Sequence, residues 1–400
     1  MSLENTPSSE RIHISFFGKR NAGKSSLVNR VTGQNLSVVS DVLGTTTDPV
    51  RKSMELLPLG PVVIIDTPGF DDEGSLGDLR VEKTREILSK THIAVFVCAD
   101  NDMDDEITQE FIKLTKEKNI PYIIAHNKAD LMDNIPEGKD NEIWVSATEG
   151  INIDALKELL GSLAKNIKTD KPLLGDLITK EDVIILVTPI DESAPKGRLI
   201  LPQQQTIRDI LDNNAICMVC QTENLKTSID SLSKKPKMVI TDSQAFGMVS
   251  KIVPKDIPLT SFSILFARYK GDLISQVKGA AMLSKLCDGD TILISEGCTH
   301  HRQCGDIGTV KLPKWIKEFS GADIKFDFTS GGEFPKDLSK YKLVVHCGAC
   351  MLNSQEMKSR LEKAKKSDVP MTNYGVAIAH TKGILKRSLE IFPEALKILE

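Results

Sequence analysis

The apolar positions of this chain come in short uninterrupted runs separated by polar and amphipathic stretches, the pattern of strands buried on both faces. In the first part such runs cover residues 12–17, 62–65, 122–125 and 143–145, and the first leads into an amphipathic segment carrying Leu27, Val28 and Val31. A polar stretch at 165–176 reads as a linker. Beyond it, runs at 183–187, 216–219 and 238–240 predict buried parallel strands, with helical segments at 206–212 and 225–232 between them. From about Ser261 a third series begins, with strands expected at 262–267, 291–294 and 343–345. The expected fold class is therefore α/β in three domains, residues 1–168, 177–260 and 261–400.

The chemistry sits where these runs end. Gly18-Lys19-Arg20-Asn21-Ala22-Gly23-Lys24-Ser25-Ser26 follows the first strand and reads as a phosphate-binding loop. Gly18 and Gly23 let the backbone curl, so that successive N–H groups and the start of the next helix face negative charge. Lys24 would reach the β and γ oxygens, and the Ser25 hydroxyl would sit on Mg²⁺. Asp66-Thr67-Pro68-Gly69 closes the second run, where a carboxylate holds Mg²⁺ through water and the Gly69 amide meets a γ-phosphate. In Asn127-Lys128-Ala129-Asp130 the last carboxylate accepts both the N1–H and the 2-amino protons of guanine, and adenine offers neither. Ser146-Ala147 completes the base pocket with a backbone N–H to the guanine oxygen. Four motifs in this order specify a GTPase.

The details resemble the TrmE–Era group of GTPases. Its Gly-Thr-Thr-x-Asp pattern is matched by Gly44-Thr45-Thr46-Thr47-Asp48, which implies that Thr46 closes on Mg²⁺ and joins Lys24, Asp66 and Gly69 in the catalytic set. Asn21 matches the loop asparagine that coordinates K⁺ in several members of that group, supplying the positive charge that an arginine finger gives elsewhere. Phe70 stands where a Ras-like enzyme has its water-orienting glutamine.

Composition narrows the rest. With 51 Lys and Arg against 55 Asp and Glu, dispersed in both signs, the chain carries net −4 and no basic footprint for nucleic acid, which counts against an RNA-binding role. The longest apolar runs fall well short of a membrane span, and residues 1–10 are polar without the apolar core of a signal peptide, so a soluble cytoplasmic protein is expected. A membrane transporter with a GTPase head fails on the same ground.

The middle series has no catalytic constellation; Asp191 and Glu192 at a strand end read as solvated loop acids. The last series is different. Cys298-Thr299-His300 follows one strand and His346-Cys347-Gly348-Ala349-Cys350 another. Ligands collect beyond the carboxyl ends of parallel strands, so the two segments can converge into one pocket. Cys347 and Cys350 form a C-x-x-C at a loop or helix start, where free amides and the helix dipole favour thiolates. Three Cys with one or two His suit either zinc or an iron–sulfur cluster. A disulfide is excluded by the expected reducing compartment. Cys217 and Cys220 lie inside a strand and read as packed thiols, Cys98 and Cys287 as small buried side chains, Cys304 as a neighbour of the site, and His301 and His380 as surface residues.

Taken whole, the chain resembles the HydF [FeFe]-hydrogenase maturation GTPases: a TrmE–Era-like domain, a middle α/β domain, and C-x-H followed by H-C-x-x-C. The resemblance implies that Cys298, Cys347 and Cys350 hold a [4Fe–4S] cluster, with His300 and His346 as candidates for the fourth ligand or for its hydrogen-bonded surroundings. It also implies a homodimer formed through the middle domain. The protein would be a scaffold or carrier that receives a transient diiron subcluster precursor, through the radical S-adenosylmethionine enzymes HydE and HydG, and delivers it to apo-hydrogenase. The alternative from another class is a zinc-stabilised regulatory GTPase that binds a protein partner.

The Asn21 and Phe70 positions together predict slow intrinsic GTP hydrolysis that is faster in K⁺ than in Na⁺ at equal ionic strength. Steady-state turnover in the two salts measures this, and equal rates would remove the potassium assignment.

Overall fold

The structure, a computed structural model, describes residues 6–19, 21–35, 49–67, 77–99, 106–167, 172–190, 199–298 and 306–399. The chain divides into two compact units, Met1–Lys168 and Thr169–Glu400.

The first unit is built on a six-stranded sheet. Its strands are β1 (Ile12–Gly18), β2 (Val50–Leu56), β3 (Gly60–Asp66), β4 (Ile93–Cys98), β5 (Tyr122–His126) and β6 (Glu142–Trp144), in the spatial order β2-β3-β1-β4-β5-β6. Only β2 runs antiparallel, paired with β3. The parallel strands read as continuous apolar runs because helices cover both faces; every residue of β4 is buried. One core gathers Phe16, Leu27, Val28 and Val95, and the other Phe17, Ile65, Phe96 and Phe111. The helix Lys24–Thr32 buries Leu27, Val28 and Val31 and stops at Gly33, whose φ of 64° favours a residue without a Cβ.

The second unit holds two four-stranded parallel sheets on one shared core. The first comprises β7 (Val183–Val187), β8 (Ile216–Cys220), β9 (Met238–Thr241) and β10 (Leu259–Ser261), ordered β10-β9-β7-β8. The second comprises β11 (Thr291–Ser295), β12 (Lys325–Thr329), β13 (Leu343–His346) and β14 (Met371–Asn373), ordered β12-β11-β13-β14. These are the same arrangement, and the match extends to single hydrogen bonds. Asp242 N donates to Val187 O (3.4 Å) and Cys347 N to Ser295 O (2.9 Å); Thr188 N donates to Cys220 O and Glu296 N to Thr329 O, both at 2.9 Å. Each sheet reverses direction of strand addition at its third strand, which opens a crevice beyond the carboxyl ends of β7 and β9 in one and of β11 and β13 in the other.

Three expectations from the sequence are corrected here. Residues 262–267 are not a strand: Phe262–Lys270 is a helix, capped by Ser261, whose Oγ accepts from Ile264 N at 3.3 Å. Five of the six residues in that run are buried, so the run carries no period to separate helix from strand. The run 216–219 does form a strand, yet an edge strand, with Ile216 and Val219 exposed. The polar stretch 165–176 is not wholly linker, since Leu173 and Leu174 are buried and Leu174 N is held by Asp209 Oδ2 at 2.8 Å.

The helix Leu273–Ala280 rides so close to β14 that a Cβ on Gly279 would run into the Met371 carbonyl. Overpacking against backbone costs about 1–3 kcal/mol, more than the roughly 1 kcal/mol that alanine gains in helix propensity. Gly279→Ala should therefore lower the thermal transition of the second unit, and a calorimetric transition that is unchanged or raised would contradict this packing.

Candidate functional site

In the first unit, the carboxyl ends of β1, β3 and β5 bring the sequence-predicted residues together. Gly18 ends β1 where a Cβ would meet the Val97 carbonyl, and Gly23 combines φ of 77° with a close approach to Asn127 Nδ2. Asn21 is also left-handed, at φ 58°. Lys24 opens the following helix, with Ser25 and Ser26 after it, and its ammonium pairs with the Asp66 carboxylate at the end of β3. Both are buried, and removing one partner of such a pair strands the other at about 3–5 kcal/mol. Ser25 Oγ donates to Asp66 Oδ2 at 3.1 Å. Asn127 joins two loops: its Nδ2 donates to Ala22 O (2.9 Å), and its Oδ1 accepts from Ala147 N (3.0 Å). Ser146 is fully buried and its Oγ accepts from Glu149 N, while Lys128 and Asp130 stand exposed at the open side. Thr46, with the rest of residues 44–48, and Gly69 and Phe70 lie outside the described residues.

In the second unit, the crevice between β11 and β13 brings Cys298, Cys347 and Cys350 into one neighbourhood. Cys347 directly follows β13, and its Sγ accepts from Gly297 N (3.1 Å) and Ala349 N (3.4 Å). Ala349 takes φ of 55°, which turns its amide toward the sulfur. Burial above all, with Cys350 and Cys298 acting in the same direction, pushes the Cys347 thiol up to about 12 against the opposing pull of the Gly297 and Ala349 amides. Burial also raises Cys350, with the Lys270 ammonium pulling against it. The sequence suggested a helix dipole favouring thiolates here. That pull, about 0.3–1 kcal/mol, loses to burial, the largest cause of the upward shift at Cys347. Thiolates in this pocket need a compensating cation. Three thiols with amide donors already aimed at one sulfur fit a metal-centred group that takes up their charge. Among the described residues, no three His, Cys, Asp or Glu side chains enclose a single metal ion.

His346 has both ring nitrogens engaged. It is fully buried, its Nδ1 donates to Cys347 O (2.9 Å), and its Nε2 accepts from Arg360 (3.0 Å). Burial first, then Arg360 beside it, push the ring down to about 3, so it stays neutral. His300, along with His301 and Cys304, lies outside the described residues, as do Asp191 and Glu192. Cys287 was expected to be buried and is exposed, because it sits in a turn before β11. Cys98 is buried, with Sγ 3.3 Å from His126 Nδ1. Cys217 and Cys220 are half-buried on the edge strand β8, and burial raises both. His380 meets Ser284 Oγ (3.0 Å) and the edge of Phe319.

Four residues near the thiols were missed from the sequence. Lys270, 2% exposed, donates to Cys350 O (3.1 Å) and Leu352 O (2.9 Å). Arg360, 4% exposed, donates to His346 Nε2, Gly331 O (2.7 Å) and Glu356 Oε1 (2.9 Å), with Ser295 Oγ at 3.4 Å. The Tyr374 hydroxyl donates to the buried Glu296 carboxylate (3.2 Å), and burial, reinforced by Glu296 and then Cys347, holds that phenol protonated. Only Glu296 had a signal, an acid two residues ahead of Cys298 in the C-x-H segment; Arg360 is one of many charges on its helix.

Residues 173–271 match the family model of the hydrogen maturase F dimerization domain, and residues 274–391 that of the hydrogen maturase F tetramerization domain. Residues 13–128 match the model of a 50S ribosome-binding GTPase. The chain is 33% identical over 160 residues to the tRNA modification GTPase MnmE of Francisella philomiragia subsp. philomiragia, covering 37% of this chain and 34% of that protein. It is 31% identical over 158 residues to MnmE of Francisella tularensis subsp. novicida, with the same coverage. The chain thus spans about a third of the length of these curated relatives. Among solved structures, a probable GTP-binding protein EngB aligns with TM-score 0.32 and 24% identity, over 38% of this chain and 99% of that one. Aquifex aeolicus Era bound to GDP and AlF4 aligns with TM-score 0.33 and 18% identity, over 52% and 91%.

Because Cys347 is held protonated and Cys287 is exposed, alkylation of metal-free protein by iodoacetamide at pH 8 should label Cys287 well before Cys347. Peptide mass spectrometry over a time course reads the order, and early labelling of Cys347 would contradict a buried, protonated thiol.

Proposed function

The chain belongs to the hydrogen maturase F family and carries a GTPase domain, and from that premise we propose that it is an [FeFe]-hydrogenase maturation factor whose GTPase serves a [4Fe–4S] scaffold. The observation that carries the scaffold reading is the proximity of the half-buried Cys298, Cys347 and Cys350, with Gly297 and Ala349 amides already directed at the Cys347 sulfur. Amide hydrogen bonds to sulfur stabilise negative charge on cluster ligands and tune their potential.

In this reading, residues 1–168 bind GTP, 177–260 form the dimer contact, and 261–400 hold the cluster. Lys24 and the loop amides from Gly18 to Ser26 cradle the phosphates, Ser25 and Thr46 hold Mg²⁺, and Asn21 holds K⁺. Asp66 holds Mg²⁺ through water and the Gly69 amide meets the γ-phosphate, whereas Asn127, Lys128, Asp130, Ser146 and Ala147 select guanine. Cys298, Cys347 and Cys350 would hold the cluster, which would supply an iron with a coordination position not taken by cysteine for a diiron precursor. HydE and HydG would supply that precursor and apo-hydrogenase would receive it, in the cytoplasm. No described helix is long and apolar enough to cross a membrane. Nucleotide state would bias which partner is engaged, with hydrolysis resetting the cycle.

Iron, sulfide and zinc content, with reduced-state EPR on protein purified without oxygen, tests the reading. About four iron and four sulfide per chain with a [4Fe–4S]⁺ signal are expected, and one zinc without a signal would replace the scaffold by a zinc-stabilised regulatory GTPase. Cys347→Ser should lose the cluster and keep GTP turnover, while Lys24→Ala should lose nucleotide binding and keep iron.

A further inference from the structure

Two cations, Lys270 and Arg360, lie almost wholly buried against the thiol crevice, and neither belongs to a motif. Lys270 comes from the helix Phe262–Lys270 and donates to the carbonyls of Cys350 and Leu352, so it clasps the loop from the side of Cys350. Its Nζ also stands 5.7 Å from the centre of the Phe266 ring. Arg360 comes from the helix Ser354–Lys366 and reaches under the other end of the same loop. One guanidinium nitrogen donates to His346 Nε2 at 3.0 Å and approaches Ser295 Oγ at 3.4 Å, and the other donates to Gly331 O and Glu356 Oε1. The plane of the guanidinium lies over Phe334, with its carbon 5.2 Å from the ring centre. His346 transmits this hold, because its Nδ1 donates to the Cys347 carbonyl.

From this geometry we propose that Lys270 and Arg360 are positioning residues that clamp the Cys347–Cys350 loop from its two ends and offset the charge of an anionic cluster, and that His346, with both ring nitrogens engaged, is part of the clamp and not an iron ligand. The inference rests on the [4Fe–4S] reading above. Three thiolates on a [4Fe–4S]²⁺ core leave a net negative charge and reduction adds one more, so the buried Lys270 ammonium favours both occupancy and the reduced state, while Arg360, ion-paired with Glu356 at 2.9 Å, keeps that carboxylate from adding to the negative charge. His346 could ligate iron only by giving up the Arg360 hydrogen bond or the Cys347 carbonyl, which would leave a buried guanidinium or carbonyl short of a partner.

The test uses the full chain, loaded anaerobically and labelled with ¹⁵N-histidine, as wild type and as His346→Gln, Lys270→Met, Arg360→Gln and Arg360→Lys. The readouts are iron content, pulsed EPR of histidine nitrogen couplings, and an EPR-monitored redox titration. His346→Gln, whose amide oxygen can still accept from Arg360, should keep its cluster and any histidine coupling seen in wild type. Lys270→Met and Arg360→Gln should lower the reduced-to-oxidised ratio at fixed potential by about tenfold, equivalent to a shift of about 59 mV for one electron, and Arg360→Lys should recover most of that loss. Should Arg360→Gln bind no cluster at all, recovery of iron by Arg360→Lys carries the same conclusion. Loss of a strong histidine ¹⁵N coupling in His346→Gln would make His346 a ligand and overturn the proposal, as would unchanged potentials in both Lys270→Met and Arg360→Gln. A wild-type chain that takes up zinc and no iron would instead overturn the scaffold reading, and the clamp with it.

Discussion

Parallel pairing of neighbouring strands is the constraint on which both sites depend. A parallel sheet sends all its carboxyl ends to one edge, and the backbone groups released there must find partners among loops and helix starts. In the first unit this edge collects Gly18, Asp66 and Asn127 from three strands separated widely in sequence. In the second, the register Ser295 to His346 places the residues after β11 and β13 side by side, which is why Gly297 can donate to the Cys347 sulfur. Neither site needs a specialised fold. Each needs strands that are parallel, buried and in register, and those properties follow from uninterrupted runs of Val, Ile, Leu and Phe.

How much could be read from the chain depended on how local the signal was. The strand runs at 12–17, 183–187 and 343–345 and the phosphate loop were legible because each is specified by consecutive residues, and a left-handed Gly23 directly before Lys24 forms the turn that a helix start needs to face a phosphate. The helix Phe262–Lys270 was misread because its burial is nearly complete all round, which erases the period that separates helix from strand. The exposure of β8 was hidden for the opposite reason, since an apolar run does not say which strand ends at a sheet edge. Lys270 and Arg360 were illegible because their partners lie far off along the chain. Lys270 finds carbonyls 80 and 82 residues later, and Arg360 finds a carbonyl 29 residues earlier and a histidine 14 earlier.

The thiol crevice is also a case of opposed terms of different size. Burial alone disfavours thiolates strongly enough to override the nearby helix start, and Lys270 opposes burial at Cys350 without reversing it. Burial thus keeps Cys347 and Cys350 protonated when they have nothing to bind, and in the proposed reading they would accept charge only with a cationic centre that supplies the compensation. Such an arrangement would couple loading to proton release, and a protonated thiol is the less reactive form toward alkylation and oxidation.

The repeated strand order in the second unit has a use beyond architecture. Asp242 occupies, in the sheet β10-β9-β7-β8, the place that Cys347 occupies in its counterpart, and its carboxylate accepts from Gln244 N at 3.1 Å to start a short helical turn where the other sheet has its sulfur-directed amides. The chain therefore contains its own blank: a crevice of the same topology and register, with a carboxylate in place of a thiol. Comparing the two within one molecule separates what strand order and register contribute from what sulfur contributes by chemistry.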